Sequence, residues 1–177
     1  MEFLNKLEKT VFGWFKSVPD LPNEARKWLS ENAWWIVVIG LILTVLSILG
    51  NLSNLSSLVS LMDSPAAAYF VSPAITTWNI ITIIVSLFFL LLEAILLAFA
   101  IQPLKERQKK GWVLLFATWL LGIVALVVGA FLGLSVINFI ISVLFGAVWV
   151  AVSGYFLFEI HGQFAHVERS RGVKKAK

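Results

Sequence analysis

TWNIITIIVSLFFLLLEAILLAFAI, residues 77–101, is an almost wholly apolar run that contains one charged side chain, Glu93. An apolar run of about 18 residues or more is typical of a transmembrane helix. At about 1.5 Å per residue, this stretch is long enough to cross a hydrocarbon core of about 30 Å. It must be helical, because an isolated strand would leave its backbone polar groups unpaired in lipid.

Three more apolar runs flank this stretch, at residues 33–50, 112–132 and 135–158. Together the four runs predict an all-α, polytopic membrane protein built as a four-transmembrane-helix bundle. Only Gly133 and Leu134 separate the last two spans, so these are expected to form a tight antiparallel hairpin.

The composition excludes several classes of protein. Hydrophobic residues make up 59% of the 177 residues and charged residues 14%, against roughly half and a quarter in soluble domains. A soluble enzyme, a DNA-binding module and a disordered chain are therefore excluded. The chain has no cysteine, which excludes disulfides, thiol redox chemistry and a cysteine nucleophile.

Positive charge follows a pattern that predicts the topology. All 14 Lys and Arg residues lie before the first span, between the second and third, or after the fourth. Because four spans place those three regions on one side of the membrane, the positive-inside rule puts both termini in the cytoplasm. We therefore expect a multi-pass protein of the cell membrane with cytoplasmic N- and C-termini.

The span ends carry residues that are expected to contact the lipid surface. Tryptophans at these positions fit an interfacial belt: Trp34, Trp35, Trp78 and Trp112. Basic side chains beside them favour anionic lipids on the cytoplasmic side rather than nucleic acid. The candidate headgroup ligands are Lys6, Lys9, Lys16, Lys105, Lys109, Lys110, Lys174 and Lys175.

Residues 1–32 form a cytoplasmic amphipathic region ahead of the first span. Residues 1–17 place apolar side chains at helical spacing with charged ones between them. This pattern predicts a helix lying in the membrane interface; the alternative is docking against a partner or against the cytoplasmic end of the bundle. Pro19 ends this helix, and a second helix is expected to start near Pro22 and to continue into the first span.

The remaining segments are connections and a tail. The outer loop, residues 51–76, has leucines at every third position and predicts a short amphipathic helix. A cytoplasmic loop at residues 102–111 and a basic tail at residues 159–177 complete the chain. The tail holds Glu159, His161 and His166, but the two histidines point in different directions on a helix. We expect solvated charges there, with no metal site and no cofactor.

Each span also carries a row of small or polar residues at helical spacing. Small residues let helices approach closely, and hydroxyl and amide groups can form hydrogen bonds between helices. The glycines predicted to pack helices are Gly40, Gly122, Gly129, Gly133 and Gly146. These rows predict packing seams of a bundle, with a polar conduit as the alternative.

Glu93 is the most informative single residue. It lies eight residues before Ile101, about 12 Å inside the span, and no Lys or Arg lies in any span. A carboxyl group at this depth is expected to face the bundle interior and to find hydrogen-bond donors. The predicted polar hub comprises Glu93, Thr44, Thr118, Trp119 and Ser153.

The sequence contains no constellation of catalytic residues, so the expected function is non-enzymatic. We expect an integral membrane scaffold or accessory protein that self-associates or binds another membrane protein. The alternative is a small oligomeric transporter or channel in which Glu93 couples protons or cations. Partners expected from the sequence are the lipid bilayer and another membrane protein or further copies of the chain.

Overall fold

A computed structural model describes residues 10–11, 13, 19–62, 72–133 and 135–164. Most of the predicted N-terminal helix and the tail from residue 165 lie outside the described residues. Of residues 1–17, Thr10, Val11 and Gly13 are helical, and Val11 is 4% exposed within the main hydrophobic cluster.

The described part of the chain is all-helical, as predicted. Its four long helices are α1 (Asn23–Met62), α2 (Pro73–Lys105), α3 (Lys109–Leu132) and α4 (Val136–Glu159). Each coincides with or overlaps a segment that is long and apolar enough to cross a membrane. The predicted fold class, a polytopic bundle of four helices, is therefore confirmed.

The first helix begins at Asn23, directly after Pro22, so the predicted start of a helix that continues into the first span is confirmed. At its other end, residues 51–62 continue the same helix, where the sequence predicted a separate short amphipathic helix in the outer loop. No proline interrupts residues 23–62, and the hydroxyls of Ser57 and Ser60 donate to carbonyls of their own helix. Without a helix breaker, the leucines at every third position simply prolong α1.

The connection between α2 and α3 is also shorter than predicted. Only residues 106–108 separate the two helices, because residues 102–105 and 109–111 are helical. The Gln108 N–H donates to the Pro103 carbonyl and the Arg107 N–H to the Leu104 carbonyl, which is the Schellman motif. Arg107 takes the left-handed position with φ 52°.

Gly111 is required by this tight turn. A Cβ at position 111 would lie 2.7 Å from the backbone nitrogen of Leu104, a separation that no side chain tolerates without movement of the backbone. The last turn of α2 and the first turn of α3 can therefore lie in direct contact.

Each helix packs mainly against its neighbour in the chain, so that α1 contacts α2, α2 contacts α3, and α3 contacts α4. The largest buried cluster lies at one end, where Arg26, Lys105 and Lys109 also lie; we call this the basic end. Its members include Val37, Ala100, Leu104, Trp112, Phe116, Leu157, Phe158 and Phe164. The bundle is thus closed by a packed core at the basic end.

Candidate functional site

Three contacts fix how α1 and α2 lie against each other. At the basic end, Arg107 Nη2 lies 2.7 Å from Glu31 Oε1, and Lys105 Nζ lies 5.3 Å from the centre of a Trp34 ring. Further along, a Cβ at Gly40 would lie 4.0 Å from Leu97 Cδ1. The helices therefore run antiparallel with one register from the basic end to mid-depth.

This register brings polar residues of the two helices to the same levels. Counting one turn at a time from Gly40 and Leu97 places Thr44 level with Glu93, and Asn51 level with Ser86. At the far end of these two helices, an open groove of about 360 Å³ lies between them. It is lined by Asn54, Ser57, Leu58, Asn79, Thr82 and Ile83.

Asn79, Ser86 and Glu93 form one column along α2. They are spaced seven residues apart, and such positions lie within about 20° of each other around a helix. The column faces away from the lipid-exposed side of α2, which consists of Ile84, Phe88, Leu91, Ile95 and Phe99. We call these three residues the polar column; its first member, Asn79, lines the groove beside α1.

The polar column has no partner within the described chain. No described group forms a hydrogen bond or ion pair with the side chain of Asn79, Ser86 or Glu93. Ser86 and Glu93 are only half-buried, and Asn79 is exposed. By contrast, Thr82 on the same helix donates to its own backbone, at the Trp78 carbonyl.

The structure does not join the predicted polar hub by hydrogen bonds. Thr44 donates to the Gly40 carbonyl, Thr118 to the Leu114 carbonyl and Ser153 to the Trp149 carbonyl, all within their own helices. Trp119 donates across to α4, at the Val150 carbonyl. Within the described residues, none of these four donors reaches Glu93, because a hydroxyl on a helix can bond to the carbonyl one turn earlier.

The predicted packing glycines separate into two groups. A Cβ at Gly146 would overlap the Leu126 side chain, so α4 does approach α3 closely there. A Cβ at Gly133 would meet only carbonyls of its own helix, those of Ala130 and Gly129. A Cβ at Gly122 or Gly129 would meet none of the described atoms within 4 Å. These last two do not pack against another helix of the described chain.

Gly122 and Gly129 are themselves exposed, but they lie on the side of α3 opposite to its exposed large apolar side chains, Val124, Val127 and Phe131. Leu115, seven residues before Gly122, packs against the buried cluster at the basic end, so this is the inner side of α3. The polar column and the two glycines therefore lie on the inner sides of α2 and α3, and Thr44 and Asn51 of α1 lie at the depths of Glu93 and Ser86. We call the region between these residues the cleft; the packed core lies at its basic end.

Tryptophans hold the helices around the cleft together. Trp112 is fully buried, and its indole N–H donates to the Leu157 carbonyl at 2.8 Å. At the far end the Trp78 N–H donates to the Leu132 carbonyl, also at 2.8 Å. The predicted interfacial role is therefore wrong for Trp112, which lies inside the core instead of at the lipid surface.

A polar clamp at the basic end, formed around Glu159, was not predicted from the sequence. Glu159 Oε2 accepts a hydrogen bond from the Leu21 N–H at 3.2 Å and lies 3.4 Å from Arg26 Nε. Arg26 Nε also donates to the Leu21 carbonyl, and the Tyr155 hydroxyl donates to the Pro19 carbonyl. Glu159 was expected to be solvated, but its side chain is 9% exposed. A single acidic residue at the end of α4, facing an arginine at the start of α1, was the available signal.

The lysines predicted to bind lipid headgroups are only partly described. Lys105 and Lys110 are exposed at the basic end and Lys109 is half-buried. The remaining five, Lys6, Lys9, Lys16, Lys174 and Lys175, lie outside the described residues. Binding of anionic lipid stays a prediction.

Comparisons of the chain with protein-family models, with curated proteins and with solved structures find no match. The geometry of the cleft is therefore the basis on which a function can be argued.

Proposed function

We propose that this chain is a non-enzymatic protein of the cell membrane that acts by associating with another membrane protein or with further copies of itself. The observation that carries the proposal is the cleft. Its polar column lies at membrane depth without a partner in the described residues. Polar side chains at that depth are costly unless they have hydrogen-bond or ion-pair partners. Association with another membrane protein or a further copy would supply such partners.

The glycines on the other wall support association through a helix. Gly122 and Gly129 leave open space above the backbone of α3, and small residues of this kind allow a second helix to approach closely. Close approach is a main source of stability between helices in lipid, where the hydrophobic effect contributes little.

The orientation is part of the same proposal. The basic end carries Arg26, Lys105, Arg107 and Lys109, and the positive-inside rule places such an end in the cytoplasm. Both termini would then be cytoplasmic, and the groove between the far ends of α1 and α2 would open toward the outer surface.

A bulky residue in the cleft should prevent association. We expect Gly122→Phe to abolish it, because the ring would occupy the space where a second helix approaches. Val124→Phe is the matched control, since Val124 lies on the outward side of the same helix and is 51% exposed. The measurement is native mass spectrometry of the protein extracted with its surrounding lipid.

The wild type and Val124→Phe should appear with a stoichiometric membrane protein or as a discrete homo-oligomer, and Gly122→Phe as a monomer. A wild type that is monomeric and has no stoichiometric companion contradicts the proposal.

Transport is the second candidate function, and the groove favours it. The groove is lined by Asn54, Ser57 and Asn79. Ser86 and Glu93 follow Asn79 at seven-residue spacing on the same face of α2, so polar side chains extend along this face from the far end to mid-depth. An intramembrane carboxyl group on such a path is a site at which a proton or cation can bind.

Substitutions of Glu93 separate the two candidates. Because no hydrogen bond within the described chain is lost, we expect Glu93→Leu and Glu93→Gln to unfold in detergent at the wild-type temperature or above it. If the chain transports protons, both variants lose flux, since neither side chain can titrate. The measurement is thermal unfolding beside proton flux into liposomes that hold a pH-sensitive dye.

Wild-type liposomes that are no more permeable to protons than empty ones would exclude proton transport. A large loss of thermal stability in Glu93→Leu would instead show that Glu93 has a partner within the chain.

A further inference from the structure

We propose, building on the association proposed above, that the occupant of the cleft is a single transmembrane helix of another protein. We infer further that this helix carries a Lys or Arg side chain at the depth of Glu93. The proposal names the chemistry of the partner from three features of the cleft: an unpaired carboxyl group, a column of hydrogen-bonding groups beside it, and an open wall of glycine.

The carboxyl group of Glu93 can form an ion pair only with a cation from outside the spans of this chain. All Lys and Arg residues lie outside the four predicted spans. At the basic end, Arg26 lies beside Glu159 and Arg107 beside Glu31, and Lys105 lies over Trp34. A cation from a partner would pair with Glu93 and remove the cost of an isolated charge in lipid.

A second copy of this chain does not meet that requirement. Its spans contain no Lys or Arg, so the helices that could enter the cleft at this depth offer no cation to Glu93. Charge complementarity therefore favours a different protein over self-association through the cleft.

The spacing of the two walls favours a helix over a small solute. The polar column repeats every seven residues on α2, and Gly122 and Gly129 are also seven residues apart on α3. A repeat of seven keeps one face of a helix in contact with a neighbour that crosses it at a shallow angle. Both walls thus present a continuous face along which a third helix can lie.

Asn79 and Ser86 would set the register of the bound helix. Both can donate and accept hydrogen bonds, and both lie on the same face as Glu93, toward the far end. If the cation of a partner helix lies at Glu93, the same helix would contact Ser86 one seven-residue repeat away and Asn79 two repeats away.

The probes are two synthetic helices that span the bilayer, rich in Leu and Ala and identical except at one central position. One carries Lys at the depth of Glu93, and the other carries Leu there. Because the chain has no cysteine, Lys110→Cys provides a single labelling site outside the spans for a fluorescent donor. Energy transfer to an acceptor on each peptide is measured in liposomes at increasing lipid dilution.

We expect the protein to bind the Lys peptide at least about tenfold more tightly than the Leu peptide, since close charge pairs are worth more than one decade in affinity. Glu93→Gln should bring the two affinities to within about twofold, because the amide keeps the shape and loses the charge. Gly122→Phe should weaken binding of both peptides, and Val124→Phe should leave the preference intact.

Equal binding of the two peptides by the wild type would overturn the inference that the partner carries a cation. It would not contradict association through the cleft. Binding of neither peptide would overturn the proposal that the cleft accepts a lone helix. The mass measurement on Gly122→Phe then reports separately whether the protein associates at all.

Discussion

Replacing Trp112 with alanine is expected to lower the free energy of unfolding by about 3 kcal/mol, the lower end of the range for deleting a buried aromatic side chain. The ring is fully buried at the basic end, stacked on Phe116 at 5.4 Å and edge-on to Phe158 at 5.7 Å. Lipid is as apolar as the core, so the cost comes from the cavity and the lost contacts.

Trp149 provides a matched control for this prediction. It lies on α4 and is 71% exposed, so its replacement by alanine leaves no cavity and should cost well under 1 kcal/mol. The variant Trp112→Phe keeps most of the ring but leaves the Leu157 carbonyl without the indole N–H, which should cost about 1 kcal/mol. Unfolding in mixed detergent micelles measures all three. Equal losses for Trp112→Ala and Trp149→Ala would show that the basic end is not a packed core.

The sequence was sufficient for the spans because hydropathy and charge act locally. An apolar run in lipid must be helical whatever its neighbours are. The boundaries were harder to predict. The leucines of residues 51–62 predicted a short helix in the outer loop, but nothing local showed that it would continue the first helix without a break.

The candidate site could be predicted only in its residues and not in its contacts. Glu93 and Gly122 stand out in the sequence, yet nothing local indicates which hydroxyl bonds to its own helix and which reaches a neighbour. Gly122 and Gly146 lie on neighbouring helices. Of these two, only Gly146 has a side chain, that of Leu126, in the space where a Cβ would lie. The rotation and register of each helix decide this, and both depend on packing between distant parts of the chain.

The second large effect is expected at Glu159, whose clamp lies at the end of the bundle opposite to the cleft opening. Replacing Glu159 with leucine removes the acceptor of the Leu21 N–H and leaves Arg26 with Asp20 as its acidic neighbour, at 3.7 Å. Breaking a well-buried ion pair costs about 3–5 kcal/mol. Since the Arg26 side chain is 28% exposed, water can solvate it, and we expect about 2 kcal/mol.

Glu24→Leu is the control for loss of an acidic residue at this end, because Glu24 is exposed and has no partner among the described residues. It should change the stability by less than about 0.5 kcal/mol. Thermal unfolding in detergent compares the two variants. Proteolysis near residues 19–22 should also become faster in Glu159→Leu, since the Leu21 N–H loses its only side-chain acceptor in the described structure.

A charge reversal distinguishes the ion pair from the hydrogen bond to the backbone. Glu159→Arg alone should be worse than Glu159→Leu, because it places two guanidinium groups together. Adding Arg26→Glu should recover part of the loss, since opposite charges again face each other, although the Leu21 N–H remains without its carboxylate acceptor. If the double variant is no more stable than Glu159→Arg, the ion pair contributes nothing and the clamp depends on the backbone hydrogen bond alone. If the double variant recovers part of the stability, the ion pair between Arg26 and Glu159 contributes to holding the start of α1 against the end of α4. The basic end of the bundle is then held by charge as well as by its packed core, at the end opposite to the groove.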